Sequence, residues 1–185
     1  MSEKKNMMSG FLILGGIAAL AFYLMKDGVP RNLPADQSRF IDTVSEAQTD
    51  SRRADNELQR ELIKNRRNES ICSSFSDMSV SGWKGTVDQI GVTGAGQAYI
   101  SIRISRNISL KTFNNFVSDA FSGTLIDPDT PLFRTIKRLE TRQTVQFSGQ
   151  FFEDQSNCIR ELSLTRRGDL ERPEFLMRFT SITPK

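Results

Sequence analysis

Residues 83–105, WKGTVDQIGVTGAGQAYISIRIS, decide the fold of this chain. In the second half Ala98, Ile100, Ile102 and Ile104 alternate with Tyr99, Ser101, Arg103 and Ser105. A period of two puts the first set on one face of a strand and the second on the other, as in a half-buried sheet. Trp83 to Val92 reads as the partner strand, and Thr93-Gly94-Ala95-Gly96 supplies the glycines of a hairpin turn. Gly91, Gly94 and Gly96 do not form a phosphate loop, because a strand and not a helix follows them.

Downstream the same pattern continues. A third strand is expected over Ile108 to Phe113, after the turn Arg106-Asn107 and before Asn114-Asn115. Thr130 is placed to cap a short helix whose first residue is Pro131, with Leu132, Ile136 and Leu139 on its core face. Asp127 and Asp129 then read as acidic residues at the favourable end of that helix, not as a catalytic carboxylate pair. Val145, Phe147, Gly149 and Phe151 alternate inward on the next strand. Cys158 to Leu164 and Phe175 to Ile182 supply two more, with Gly168 and Pro173 punctuating the connection. Phe175, Met177 and Phe179 share one face of the last strand, and Trp83 is expected in the core or as a plug at its end. Residues 71–185 are thus predicted to form a mainly β head with one short helix.

Upstream the chain changes character. Residues 36–70 carry a helical pattern, with Asp36 as N-cap. Phe40, Val44, Ala47, Ser51, Ala54, Leu58 and Leu62 form one narrow stripe at helical spacing. That stripe predicts a polar stalk that packs, in the manner of a coiled coil, against a second copy or another subunit; the alternative is a solvated spacer about 45–50 Å long. Residues 26–35 read as a linker, broken by Gly28, Pro30 and Pro34. Before it, residues 7–25, MMSGFLILGGIAALAFYLM, hold no charge and are long enough to cross a bilayer, with residues 1–6 as a short tail. Ala19-Leu20-Ala21 resembles a signal-peptide cleavage site, but the apolar run continues through Met25, which favours a retained signal-anchor. Lys4 and Lys5 before the span nearly balance Lys26, Arg31 and Arg39 after it. The expected arrangement is a single pass through the cytoplasmic (inner) membrane with the head on the periplasmic or extracytoplasmic side, because the cysteine pair makes better sense there.

Composition narrows the chemistry. Lys and Arg number 25 against 22 acidic residues, and of the net +3 only +2 belongs to residues 72–185. That is too dilute for a dedicated nucleic-acid binder. With no histidine the chain lacks the commonest general base and metal ligand. No G-x-S-x-G, Walker loop or metal cluster is present, so no cofactor and no catalytic or metal-binding residue is expected. Cys72 and Cys158 are expected to form a disulfide tying the entry of the head to the start of its fifth strand. Unpaired buried thiols are the alternative.

Three meandering strands, a short helix and further strands, from about Gly82 to Ile182, resemble the OB-fold, a small Greek-key barrel. A lipocalin-like or sandwich fragment shares such spacing. Through GWKGTV, KTFNN, FSGQFF and PEFLMRF the head also looks like a C-terminal module of uncharacterised membrane-anchored bacterial envelope proteins, which carries no assigned activity. The OB-like resemblance implies a binding face on the outside of the second and third strands, made here by Tyr99, Arg103, Lys111 and Phe113.

The expectation is a non-enzymatic, membrane-held structural or scaffolding subunit. Its stalk and head engage protein partners or copies of the chain, while membrane lipid holds residues 7–25. The alternatives are a module that takes an extended peptide, glycan or single-stranded nucleic acid, and, third, a hydrolase built on a Ser–Lys arrangement.

Overall fold

The computed structural model describes residues 32–75, 77–155, 158–163 and 165–185. The expected membrane span and the expected linker up to residue 31 lie outside the described residues; within the described residues no helix is long and apolar enough to cross a membrane. Two helices come first, α1 (Ala35–Arg53) and α2 (Glu57–Ser74). Then follow β1 (Ser79–Val92), β2 (Ala98–Ser105), β3 (Ile108–Lys111), α3 (Phe116–Asp119) and α4 (Pro131–Ile136). The chain ends with β4 (Thr144–Phe151), β5 (Glu153–Asp154), β6 (Cys158–Ile159), α5 (Arg166–Glu171) and β7 (Glu174–Pro184).

Five strands close into a ring in the order β1-β2-β3-β7-β4. All neighbours run antiparallel except β3 and β7, which are parallel, with Leu110 opposite Phe175. The 14-residue β1 is long enough to pair with β4 along its first half and β2 along its second, which closes the ring. Register shifts between Val80 and Trp83 and between Ser148 and Gly149 bend the strands. Gly149 permits the tight approach of β7: a Cβ there would meet the Arg178 carbonyl oxygen at 2.7 Å. Ile100, Ile102, Ile104, Val145, Phe147, Phe175, Met177 and Phe179 all point into the core, as their alternation predicts. Thr130 accepts a bond from Phe133 N and Pro131 opens α4, again as predicted.

The third strand ends at Lys111, two residues short of expectation: Thr112 N still donates to Ile100 O of β2, but Phe113 turns away and its N donates to Thr124 Oγ1. The expected strand from Cys158 to Leu164 is only the two-residue β6, paired with β5 outside the ring, plus a single bridge from Glu161 to Phe175.

The 36–70 stalk requires the largest correction. It is two helices, interrupted at Ala54-Asp55-Asn56, where Asn56 caps α2 by accepting from Gln59 N at 3.0 Å. Nor does it stand apart from a head that begins at residue 71. Phe40 and Val44 of α1 and Ile71 of α2 belong to the same core as the strands. Phe40 sits among four rings, Phe75, Trp83, Phe151 and Phe175, with centroids 5.2–6.1 Å away. Gln37 pairs with β1 through its amide: its Nε2 donates to Lys84 O, and Lys84 N donates to its Oε1 at 2.8 Å. Asp36 caps nothing; Pro34 holds the N-cap position, and the Asp36 carboxylate accepts from Trp83 Nε1 at 2.7 Å. The stripe is correct over Phe40, Val44, Ala47 and Ser51, all buried, and fails beyond the break. Ala54 is half-buried, while Leu58 and Leu62 stand 71% and 56% exposed.

Candidate functional site

Strand alternation carries Tyr99 and Arg103 to the outer face of β2, and the β2–β3 register sets Lys111 opposite Ser101 on the same face. Tyr99 lies across Gly91 on β1; a Cβ at that position would fall 2.1 Å from the ring, so only glycine lets the phenol lie flat there. Neither expected cation is free. Arg103 stands 3.6 Å from Asp88, and Lys111 Nζ donates to Glu174 Oε2 at 2.7 Å. Both pairs are partly exposed and contribute little to stability. Their effect is on recognition, because each cancels the local charge that an anionic polymer would seek.

Beyond Lys111 the chain passes Thr112 and Phe113 and opens a groove of about 320 Å³ lined by Lys111, Thr112, Phe113, Asn114, Leu162 and Glu174. Two of the four expected residues, Lys111 and Phe113, therefore line one groove; Tyr99 and Arg103 share the sheet face but do not line it. Arg160 stacks its guanidinium over the Phe113 ring at 5.4 Å. Leu162, Glu174 and Arg160 were missed because they arrive about 50–60 positions later in the chain. The signal that finds them is the parallel pairing of β3 with β7, which sets Lys111 opposite Leu176. The groove combines an apolar wall with one ammonium, one carboxylate and an amide, a lining that suits a polar chain with apolar side groups.

A second cluster lies behind this face, where α2 meets α5 and the segment after β6. Arg67, fully buried, bonds to Glu161, donates through Nη1 to Asp169 O at 2.7 Å and reaches Asn68 Oδ1 at 2.9 Å. Lys64 pairs with Asp169 at 2.7 Å. Burial pushes the Glu161 carboxyl up to about 7, against the pull of the Arg67 guanidinium, while Asp169 raises it further and Lys64 lowers it. Its Oε2 is buried without a hydrogen-bond partner. Three residues before Glu161, Cys158 stands at disulfide distance from Cys72 in the last turn of α2, with Cα atoms 5.8 Å apart. No nucleophile joins this cluster, and among the described residues no group of acidic or cysteine side chains could hold a metal.

The chain matches no known family model, and no curated protein or solved structure is significantly similar to it.

Proposed function

We propose that this chain is a membrane-held, non-enzymatic interaction subunit whose ring is an OB-type barrel and whose β2–β3 face takes an extended polypeptide of a partner. The strand order β1-β2-β3-β7-β4 with one parallel pair, and the helical segment between β3 and β4, support the OB-type reading. The observation that carries the functional reading is the groove beside β3, with Phe113 and Leu162 as apolar walls and the Lys111–Glu174 pair at its edge. Neutralised cations favour peptide over nucleic acid, whose phosphates require uncompensated Lys and Arg. The apolar residues 7–25 support tethering in the membrane, and Leu58 and Leu62, left exposed on α2, offer a second surface for a partner or a copy. A head outside the cytoplasm accords with the Cys72–Cys158 pair.

The test is site-specific photo-crosslinking in the native membrane, with the reactive group at Phe113 and, as control, at the exposed Glu140. A discrete polypeptide adduct is expected from Phe113 and none from Glu140. Absence of any adduct at Phe113, or submicromolar binding of single-stranded oligonucleotide near physiological salt, would replace this reading.

A further inference from the structure

The segment between β3 and α4 presents Phe116, Val117 and Phe121 at 65%, 84% and 103% exposure, three of the six large apolar side chains that stand exposed among the described residues. A value of 103% means that Phe121 touches nothing around it and projects outward. Burial of such surface is what normally stabilises a side chain of this type, so a cluster of three outside the core marks a contact made with something else.

The segment is held firmly. Asn115 caps α3 by accepting from Ser118 N at 2.9 Å. The buried Asp119 carboxylate accepts from Thr124 N at 2.7 Å, Thr124 Oγ1 at 2.6 Å and Leu125 N at 2.9 Å. Thr124 Oγ1 in turn accepts from Phe113 N, and Arg178 donates to the carbonyls of Ser122 and Gly123. Three apolar groups are thus fixed on a projecting, well-bonded turn, a shape that enters a soft apolar medium more readily than it fits a flat protein face.

Charge around the turn points to the same medium. From Phe113 to Ile126 the only ionisable residue is Asp119, and it is buried. Two exposed arginines flank the turn: Arg178, over the Phe152 ring at 5.0 Å, and Arg160, within 3.4 Å of Ser122 Oγ. We propose that this turn inserts Phe116, Val117 and Phe121 into the interface of an anionic bilayer, with Arg160 and Arg178 against the lipid phosphates. This goes beyond the groove reading and does not rest on it: Arg160 borders both, but Phe116, Val117 and Phe121 do not line the groove.

The chain provides its own optical control. Its single tryptophan, Trp83, is fully buried. The full-length F121W variant is mixed with or reconstituted into anionic phosphatidylglycerol vesicles containing lipids brominated on their acyl chains. The indole introduced by F121W is expected to emit at shorter wavelength and to be quenched several-fold more than Trp83 of the unmodified chain. Adding F116S and V117S is expected to bring the quenching of that indole down several-fold, towards the level of Trp83. L58W, at another exposed site, should remain unquenched. Absence of quenching in F121W, equal quenching in L58W, or equal quenching in neutral phosphatidylcholine vesicles overturns the proposal. So does a blue shift that depends on protein concentration without lipid, which would assign the turn to contact between copies.

Discussion

Replacing Phe40 by alanine tests whether α1 is part of the domain core. Phe40 is 2% exposed and lies within 5.2–6.1 Å, centroid to centroid, of Phe75, Trp83, Phe151 and Phe175. Removing a ring from such a site forfeits its transfer free energy and leaves a cavity, about 3–5 kcal/mol together. Each aromatic pair adds about 0.5–1.5 kcal/mol beyond area, which places the expectation near the top of that range. A domain of this size has a total stability of about 5–15 kcal/mol, so F40A should sharply lower the denaturant midpoint without changing the slope. The assay is urea unfolding followed by the fluorescence of Trp83, which borders Phe40 at 5.4 Å and reports the lost neighbour directly. A segment beginning at Ile71 should, for the same reason, lack a cooperative transition, since it omits Phe40, Val44 and the Gln37–Lys84 pairing. A loss below about 1 kcal/mol in F40A, the range of a surface change, would refute the reasoning and restore α1 as a separable stalk.

Glu161 should impose a pH dependence. Its folded-state value of about 7 lies above the ordinary 4.5, so the folded protein holds an extra proton between those values. That contribution is fully present below about pH 4.5 and is lost as pH rises through 7, on the order of a few kcal/mol at most. E161Q should flatten the fall in stability between pH 5 and 8, and an unchanged slope in E161Q counts against the assignment. Cys72 and Cys158 should be found bonded in protein isolated from its native membrane without reductant, by intact mass before and after reduction. With the two cysteines 86 positions apart, reduction should cost about 4–5 kcal/mol in the chain-entropy model, and two freely alkylatable thiols would remove the argument for an external head.

The parts of the fold legible in the sequence are those where one local rule governs. Ala98 to Ser105 alternates because β2 is covered on one face only, and Thr130-Pro131 starts a helix because a cap and a fixed φ both act locally. The misreadings arose where distant partners decide. Asp36 had cap chemistry, but Trp83 Nε1, forty-seven positions away, needed an acceptor in the core. The stripe from Phe40 to Leu62 looked continuous because leucine at helical spacing gives the same signal on either side of a break. Asp55-Asn56 was the available clue, since both residues favour local bonds over helix interiors. The groove was half legible: Lys111 and Phe113 follow from alternation and position, whereas Glu174 and Leu162 require knowing that β3 and β7 run parallel.

The region where α2 meets the segment after β6 is held by more than the core. Ile71 and Ile159 bring the edge of the core there and Leu170 is buried beside them, while Arg67, Asn68 and Asp169 are buried and polar. The polar part of that contact adds little strength of its own, because a buried ion pair barely repays its desolvation. Breaking one side alone is costly, however, because it strands the other charge: R67M would leave Glu161 and Asp169 buried with Lys64 as their remaining cation. The network therefore fixes which surfaces meet more than how tightly they hold. The Cys72–Cys158 pair, four residues beyond Asn68 on α2, can supply the strength that the ion pairs lack. Register from charge and strength from a covalent tie thus add to the anchoring of Ile71 in the core and hold a polar helix along its second half. On this argument R67M in the bonded protein should still fold but lose definition around Glu161, measurable as faster amide exchange from Ile159 to Leu162. Unchanged exchange there would mean that the tie alone sets the contact.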